Sequence, residues 1–243
     1  MRKLIILFGL ILVLSQASAQ WSFDLESGLA FQSYNDVRIP NETGTTFSFT
    51  GDFRQEGTLV PLRFRVGFTF GEKNHLFAFA APLAIDYEGE APEDISFQQT
   101  IFPEGQTIEG FYKFNSFRLT YRRDLVQTET WTLGLGFTAK IRDARVQLTS
   151  GDLSDKKDDL GFVPLLHILA EYRFETWSLF LEGDGLAGGP GRAFDYIIGG
   201  LFPLREDLAL KAGYRLLEGG ADVSDVYNFT LINSAAIGFI WKL

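Results

Sequence analysis

Apolar and polar residues alternate one by one along most of this 243-residue sequence. From Trp131 to Arg142, for example, the odd positions are Trp, Leu, Leu, Phe, Ala and Ile, and the even positions are Thr, Gly, Gly, Thr, Lys and Arg. A strand places successive side chains on opposite faces, so this alternation produces one bulky apolar face and one polar face. After residue 19 no apolar run approaches the roughly eighteen residues that a membrane-spanning helix needs. The pattern therefore predicts a sheet of amphipathic strands.

Counting the alternating runs predicts an all-β, antiparallel, up-and-down transmembrane barrel of about ten strands, with eight or twelve as alternatives. The predicted strands are residues 21–32, 58–70, 75–87, 110–122, 130–147, 160–175, 177–186, 194–204, 208–217 and 227–243. Connections are expected to be long around 33–57, 88–109 and 151, and short between them, as in outer-membrane barrels. The strand-like segment 45–50 predicts either an extension of the first hairpin or two more strands. A change of apolar parity in the fourth strand predicts a bulge near Asn115.

The N-terminus has the layout of a cleavable secretory signal. Arg2 and Lys3 precede an apolar run from residue 4 to 14, and Ala17-Ser18-Ala19 precedes Gln20. We therefore expect a signal peptide at 1–19 and a single barrel domain at 20–243. The chain contains no cysteine, which excludes disulfides and lipidation at a cysteine, and its net charge of −9 argues against a nucleic-acid partner.

Aromatic residues are expected to mark the two membrane interfaces. The four tryptophans, Trp21, Trp131, Trp177 and Trp241, begin outward-going strands or end the last returning strand, so we expect all of them at the periplasmic rim. The opposite rim is expected to contain Phe31, Tyr87, Tyr112, Phe194 and Tyr227.

The polar strand faces contain the candidate site residues. They predict a lumen charge network of Asp24, Glu26, Arg63, Arg65, Arg118, Lys140, Arg142, Glu171, Arg173, Glu182, Asp184, Lys211 and Arg215. In a barrel of this size side chains nearly fill the interior, so these charges are expected to pair and to leave no open pore. A narrow channel in which the excess of arginine favours anions is the alternative.

The signal-like N-terminus, the alternation, the aromatic girdles and the last strand, ending Phe239-Ile240-Trp241-Lys242-Leu243, resemble the small bacterial outer-membrane β-barrel family typified by OmpA, OmpX and OmpW-like proteins. The resemblance implies an outer-membrane location, lipids and lipopolysaccharide as neighbours, and recognition of the last strand by the barrel-assembly machinery. That strand usually ends in Phe in the family, whereas this one ends in Leu243. The Ala-Gln at the predicted cleavage site resembles exported proteins of Bacteroidetes.

An OmpW-like barrel would also imply a small hydrophobic pocket. Apolar positions predicted to face inward are Ala78, Ala80, Ala84, Val163, Leu165 and Leu169. The function expected from the sequence is a structural or complex-subunit role in the outer membrane. The alternatives are a porin-like passive channel or a binder of small or hydrophobic solutes, and a lipid-modifying hydrolase.

A hydrolase of that kind needs a histidine beside Ser or Asp near the outer leaflet. The chain has two histidines: His75 is expected in a periplasmic turn and His167 in the lumen. We therefore expect no enzyme activity, no catalytic or metal site and no cofactor.

Overall fold

The computed structural model describes residues 20–243, and the predicted signal peptide lies outside the described residues. Within that range no helix is long and apolar enough to cross a bilayer. The fifteen strands are β1 (Gln20–Arg38), β2 (Phe47–Ser48), β3 (Arg54–Gln55), β4 (Arg63–Phe70), β5 (Asn74–Ala81), β6 (Ala84–Glu90), β7 (Ile95–Phe97), β8 (Thr100–Phe102), β9 (Thr107–Gln127), β10 (Trp131–Ser150), β11 (Leu153–Arg173), β12 (Ser178–Gly188), β13 (Gly191–Pro203), β14 (Leu208–Val223) and β15 (Val226–Lys242).

Ten of these strands close into an antiparallel ring. From β9 to β15 each strand pairs with the next, β15 pairs with β1, and β1, β4, β5 and β9 complete the circle. The predicted ten-stranded transmembrane-type barrel is thereby confirmed as the fold. β6 continues the line of β5 along β9 after an interruption at Pro82, which has no N–H to donate to the ladder. There the Leu83 N–H donates to the side-chain oxygen of Asn115 at 3.0 Å.

The segment 45–50 extends the first hairpin and does not enter the ring. Its strand β2 pairs with the far end of β1, where Phe47 lies opposite Val37. The alternatives of eight and twelve strands are therefore wrong. The connection predicted around residue 151 is also shorter than expected, because β10 and β11 stay paired up to a two-residue turn at Gly151-Asp152.

The fourth ring strand, β9, has no bulge near Asn115. Its register against β5 and β6 is continuous, and the even-numbered side chains of its buried face point inward from Ile108 to Asp124. The irregularity of β9 instead lies opposite Leu133 and Gly134 of β10, near the other end of the strand. The even residues of β9 face inward on both sides of Asn115. The large apolar residues change from even to odd positions because the interior is apolar at one end of the strand and polar at the other.

The apolar part of the interior lies at what we call the cap end, the end where the segment 39–62 folds back over the barrel. Tyr87 and Tyr112 were predicted at the membrane interface opposite the periplasmic rim. Each is 1% exposed inside this apolar region, so that prediction is wrong. The cluster around them consists of Val37, Ile39, Phe47, Phe49, Phe53, Leu59, Leu83, Ile85, Ala91, Ile95, Phe97, Phe102, Ile108, Val146, Leu148 and Ile232. Burial raises the pKa of the Tyr112 hydroxyl, since desolvation disfavours the phenolate.

Beyond the last lipid-facing residues of β10 and β11, Ile141 and Leu160, their outward faces are charged and form cross-strand ion pairs. Asp143 accepts from Lys113 at 2.7 Å, and Asp158 accepts from Arg145. The hydrogen bond from Arg145 lowers the pKa of Asp158 below its ordinary value. The barrel wall therefore continues as a polar sheet above its apolar band.

The opposite end, where the short turns 71–73, 128–130, 174–177 and 204–207 lie, is the short-turn end. All four tryptophans are there. Trp21 packs on Phe68 with ring centroids 4.9 Å apart, and Trp241 donates to Asp207 at 3.0 Å. The other two belong to a continuous row of rings formed by Trp131, Tyr172, Phe174, Trp177 and Phe202.

Candidate functional site

The lumen between the short-turn end and the cap contains one connected set of ion pairs. Six carboxylates and six cationic side chains take part: Asp24, Glu26, Asp124, Glu182, Asp184 and Asp195 with Arg63, Arg65, Arg118, Arg122, Lys211 and Arg215. We call this set the charge network. Alternation alone places some partners together, because Asp24 lies directly opposite Arg65 and Glu26 opposite Arg63 on neighbouring strands. Arg122 pairs with Asp124 on its own strand, and Arg215 pairs with Asp195 on the neighbouring strand. Other pairs, such as Arg118 with Asp184 and Arg65 with Glu182, join strands that are not neighbours and depend on closure of the ring.

Asp195 lies at the centre of the charge network and is 3% exposed. Its carboxylate contacts three guanidinium groups, those of Arg63, Arg118 and Arg215, with the Arg215 contact at 2.7 Å. These three arginines come from β4, β9 and β14, so one carboxylate on β13 links three other parts of the ring. The lumen charge network predicted from the sequence does not include Asp195, whose spacing gave no sign of this central position.

Two phenylalanines support the arginines from the wall of β5. The guanidinium carbons of Arg65 and Arg122 lie 4.8 and 5.2 Å from the Phe77 ring centroid, and those of Arg63 and Arg118 lie 4.9 and 4.8 Å from that of Phe79. Such cation–π stacking is favourable for desolvated arginines.

These contacts correct the predicted orientation of the third ring strand. Its odd residues face inward, so Ala78, Ala80 and Ala84 face outward. The prediction assumed that large apolar residues always face lipid, and it failed because Phe77 and Phe79 face the lumen and stack against arginines there.

Four residues predicted for the lumen network lie outside the charge network. Glu171 and Arg173 pair with each other at 3.6 Å near the short-turn end, and Arg142 pairs with Asp159 towards the cap. Lys140 is 2% exposed, yet no Asp or Glu among residues 20–243 forms an ion pair with it. Its Nζ lies 4.7 Å from the Phe114 ring centroid.

Both histidines contact carboxylates. His167 lies in the lumen with Nδ1 2.9 Å from Asp184 and Nε2 3.5 Å from Glu182. His75 belongs to the start of β5 instead of the preceding turn, and its Nε2 is 2.8 Å from Asp124. The two rings therefore extend the charge network at its edges.

The lumen is nearly solid at the level of the charge network. The void among Arg65, Arg118, His167 and Glu182 has a volume of about 40 Å³, and the next one towards the cap about 20 Å³. A water molecule occupies about 30 Å³ in the liquid, so this layer has room for isolated waters at most and not for a continuous column.

Wild-type barrels in planar bilayers are therefore expected to show no discrete single-channel currents. Arg118 and Asp184, whose side chains are 2.7 Å apart, can be shortened together without changing the net charge. The double variant Arg118→Ser/Asp184→Ser is expected to produce stepwise currents because it opens the layer. Steps of equal size in wild-type protein would contradict a closed lumen.

A larger cavity lies between the charge network and the cap. It has a volume of about 350 Å³, and its lining is mostly apolar or glycine: Phe114, Gly161, Phe162, Val163, Pro164, Leu186, Gly188, Pro190, Gly191, Ala193, Leu217, Gly219, Gly220 and Ala221, with Lys140, Arg142, Arg192, Glu218 and Thr230 as its polar members. We call it the outer cavity. An adjoining space of about 200 Å³ continues from it towards Tyr112 and Ile39 under the cap. Of the six apolar positions predicted to line a pocket, Val163 alone belongs to the outer cavity. No spacing in the sequence indicated the other residues of its lining.

The wall of the barrel is interrupted beside the outer cavity. β11 pairs with β12 only from Leu166 to Arg173, so its residues 153–165 have a free edge on that side. Pro164 is in this stretch, and proline inside a strand is typical of an edge. Pro164 is therefore the one sequence signal that indicates this free edge.

A free strand edge facing lipid is very unfavourable, and such backbone is tolerated where it borders a cavity. On the β11 side of the break the apolar residues Leu160 and Phe162 face outward and are 74% and 65% exposed. On the β12 side Leu186, which has the inward parity of Asp184, is still 41% exposed because the wall beside it is open. The break therefore opens the outer cavity sideways at the level of the apolar band.

The fold is that of outer-membrane β-barrel proteins. The chain is similar in structure to the outer-membrane protease OmpT from Escherichia coli, with a TM-score of 0.56 and 9% identity over 92% of this chain and 97% of that one. It aligns more loosely with Ail, the attachment invasion locus protein of Yersinia pestis, with a TM-score of 0.40, 11% identity and 92% and 99% coverage. For the toluene transporter TodX of Pseudomonas putida the TM-score is 0.34 and the identity 9%, over 92% of this chain and 89% of that one. The sequence matches no protein-family model and no curated protein.

The likeness to OmpT corrects one expectation from the sequence. We expected no enzyme activity, but a protease has this fold, so the architecture is compatible with catalysis. At 9% identity the likeness extends to the fold alone.

Proposed function

We propose that this protein is an outer-membrane barrel that binds a small, mainly apolar ligand in the outer cavity. The observation behind the proposal is the contrast between two layers of one lumen. The charge network leaves a void of about 40 Å³, whereas the outer cavity measures about 350 Å³ and has a mostly apolar lining. Ligand sites in proteins are typically concave, mainly apolar and roughly 300–1,000 Å³ in volume.

The proposed route into the site is the wall break between β11 and β12. A ligand dissolved in the outer leaflet would reach Phe162 and Leu186 first and then the cavity, without crossing the charged surface above the apolar band. The charge network forms the floor, so entry through the break does not create an ion leak. This role corresponds to the binder of small or hydrophobic solutes that the sequence analysis gave as an alternative to a structural role. The side opening supports it, since a purely structural barrel has no need of one.

The proposal predicts that a bulky residue at Gly188 blocks binding. Gly188 lines the outer cavity, and a Cβ built there meets no atom within 4 Å. In Gly188→Phe the new ring can therefore occupy the cavity without displacing the backbone. Binding of the neutral fluorophore aminoanthracene is expected to weaken by about tenfold or more, since forcing ligand and ring together costs at least about 1–3 kcal/mol.

The measurement is a fluorescence titration of barrels in phosphatidylcholine nanodiscs, with empty nanodiscs subtracted. Gly189→Phe is the matched control: the next residue is equally unobstructed but does not line the cavity. Wild-type protein without saturable binding, or equal affinities in the two variants, would refute a ligand site in the outer cavity.

A further inference from the structure

The ammonium group of Lys140 is the one charge on the cavity lining for which the described residues supply no oppositely charged partner. Of the other charged residues there, Arg142 pairs with Asp159, and Arg192 donates to Glu218 at 2.8 Å. The charge network below is complete without Lys140, since its six cationic groups are matched by six carboxylates. One basic side chain without a carboxylate partner is therefore left at the floor of the outer cavity.

None of the residues directly beside Lys140 on the neighbouring strands is a carboxylate. Across the strands its neighbours are Arg118 on β9 and Val163 on β11, one of them cationic and the other apolar. The Phe114 ring centroid lies 4.7 Å from the Lys140 Nζ, and such a ring contributes much less than a carboxylate in direct contact. A buried charge without a counter-ion is costly, and such groups in native proteins usually have a partner.

We infer that the outer cavity takes an amphiphile with a single carboxylate head, which pairs with Lys140, and an unbranched apolar tail that lies along Phe162, Val163 and Leu186 towards the wall break. The inference rests on the proposed function, because it identifies the ligand class of the same site. At the ~30 Å³ that a water-sized group occupies, 350 Å³ holds about a dozen non-hydrogen atoms. A medium-chain fatty acid such as decanoate has that size.

The test compares decanoate with decanol, which has the same chain without the charge. Each is titrated against aminoanthracene bound to barrels in phosphatidylcholine nanodiscs, with partitioning into empty nanodiscs subtracted. In wild-type protein decanoate is expected to displace the fluorophore about 10- to 100-fold more effectively than decanol, the range for a hydrogen bond between charged groups. In Lys140→Met this preference is expected to vanish while decanol binds as before.

Two further variants make the result specific. Lys140→Arg retains the positive charge and is expected to retain the preference for decanoate. Lys156→Met removes an exposed lysine from the hairpin of β10 and β11, where its side chain is 54% accessible. This variant is expected to behave as wild type. Removing a buried unpaired charge is not expected to impair folding, so Lys140→Met remains a usable variant.

Each outcome is decisive for one of the two claims. Equal displacement by decanoate and decanol in wild-type protein, or a preference that survives in Lys140→Met, overturns the assignment of Lys140 and leaves the apolar site intact. No saturable binding of aminoanthracene to wild-type protein overturns the proposed function itself.

Discussion

Replacing Asp195 by asparagine is expected to destabilise the barrel by about 3–5 kcal/mol, the usual loss when one partner of a buried ion pair is removed. The Asp195 carboxylate is 3% exposed and contacts the guanidinium groups of Arg63, Arg118 and Arg215. The asparagine amide has nearly the same volume but no charge, so three buried cations would share one fewer counter-ion. Urea unfolding of barrels in lipid vesicles, followed by tryptophan fluorescence, measures the change in free energy.

The control for this prediction is Asp225→Asn, the same chemical change in the exposed turn between β14 and β15. Its effect is expected to stay within about 0.5 kcal/mol, as for most surface substitutions. Adding Arg118→Gln to Asp195→Asn is expected to recover part of the loss, because it removes one of the uncompensated cations. A loss below about 1 kcal/mol in the single variant would show that the charge network does not support the fold.

The second large effect is expected at the cap. Phe49 is 0% exposed and its ring stacks on Tyr87 with centroids 4.5 Å apart. Gly110 provides the space for it, because a Cβ at that position would lie 2.5 Å from the Phe49 ring. Phe49→Ala removes the ring and leaves a cavity, at a cost of about 3–5 kcal/mol for a large buried aromatic residue.

Most of this loss is expected to appear as opening of the segment 39–62 and not as global unfolding, since the ring of ten strands is closed without that segment. Trypsin cleavage after the exposed Arg54 is expected to become about a hundred- to a thousandfold faster, as long as the segment opens and closes faster than it is cut. Val60→Ala is the control within the same segment, because Val60 is 56% exposed. If Phe49→Ala leaves cleavage unchanged while lowering global stability, the cap and the barrel unfold as one unit.

How far the sequence predicts such a barrel depends on what each strand face contacts. In β1 the polar residues Asp24 and Glu26 alternate with apolar residues that remain exposed on the outside, such as Leu25 at 50%. There the two faces meet different surroundings, and period two distinguishes them. In β5 both faces are apolar, so period two does not tell which face meets lipid. The sequence therefore predicted that Phe77 faces lipid, whereas it faces the lumen.

The cap end shows the same limit. Tyr87 and Tyr112 have the spacing of interface aromatics, and periodicity does not reveal whether a tyrosine meets lipid or a folded-back loop. Segment 39–62 covers them from a distance in sequence, and Phe49 reaches Tyr87 only because Gly110 leaves room for it. That contact depends on three parts of the chain at once, those of Phe49, Tyr87 and Gly110. No local sequence pattern predicts it.

Residue order by itself determined the number of strands, the identity of the charged lumen and the grouping of the tryptophans, because each follows from period two and from which end of a strand a residue occupies. Only the tertiary structure decided which charges pair across the lumen, that six carboxylates satisfy six cations, and that Lys140 is left over beside an apolar cavity at a break in the wall. The physical reason is that pairing, packing and cavity volume depend on distances between strands far apart in sequence, which are set when the ring closes.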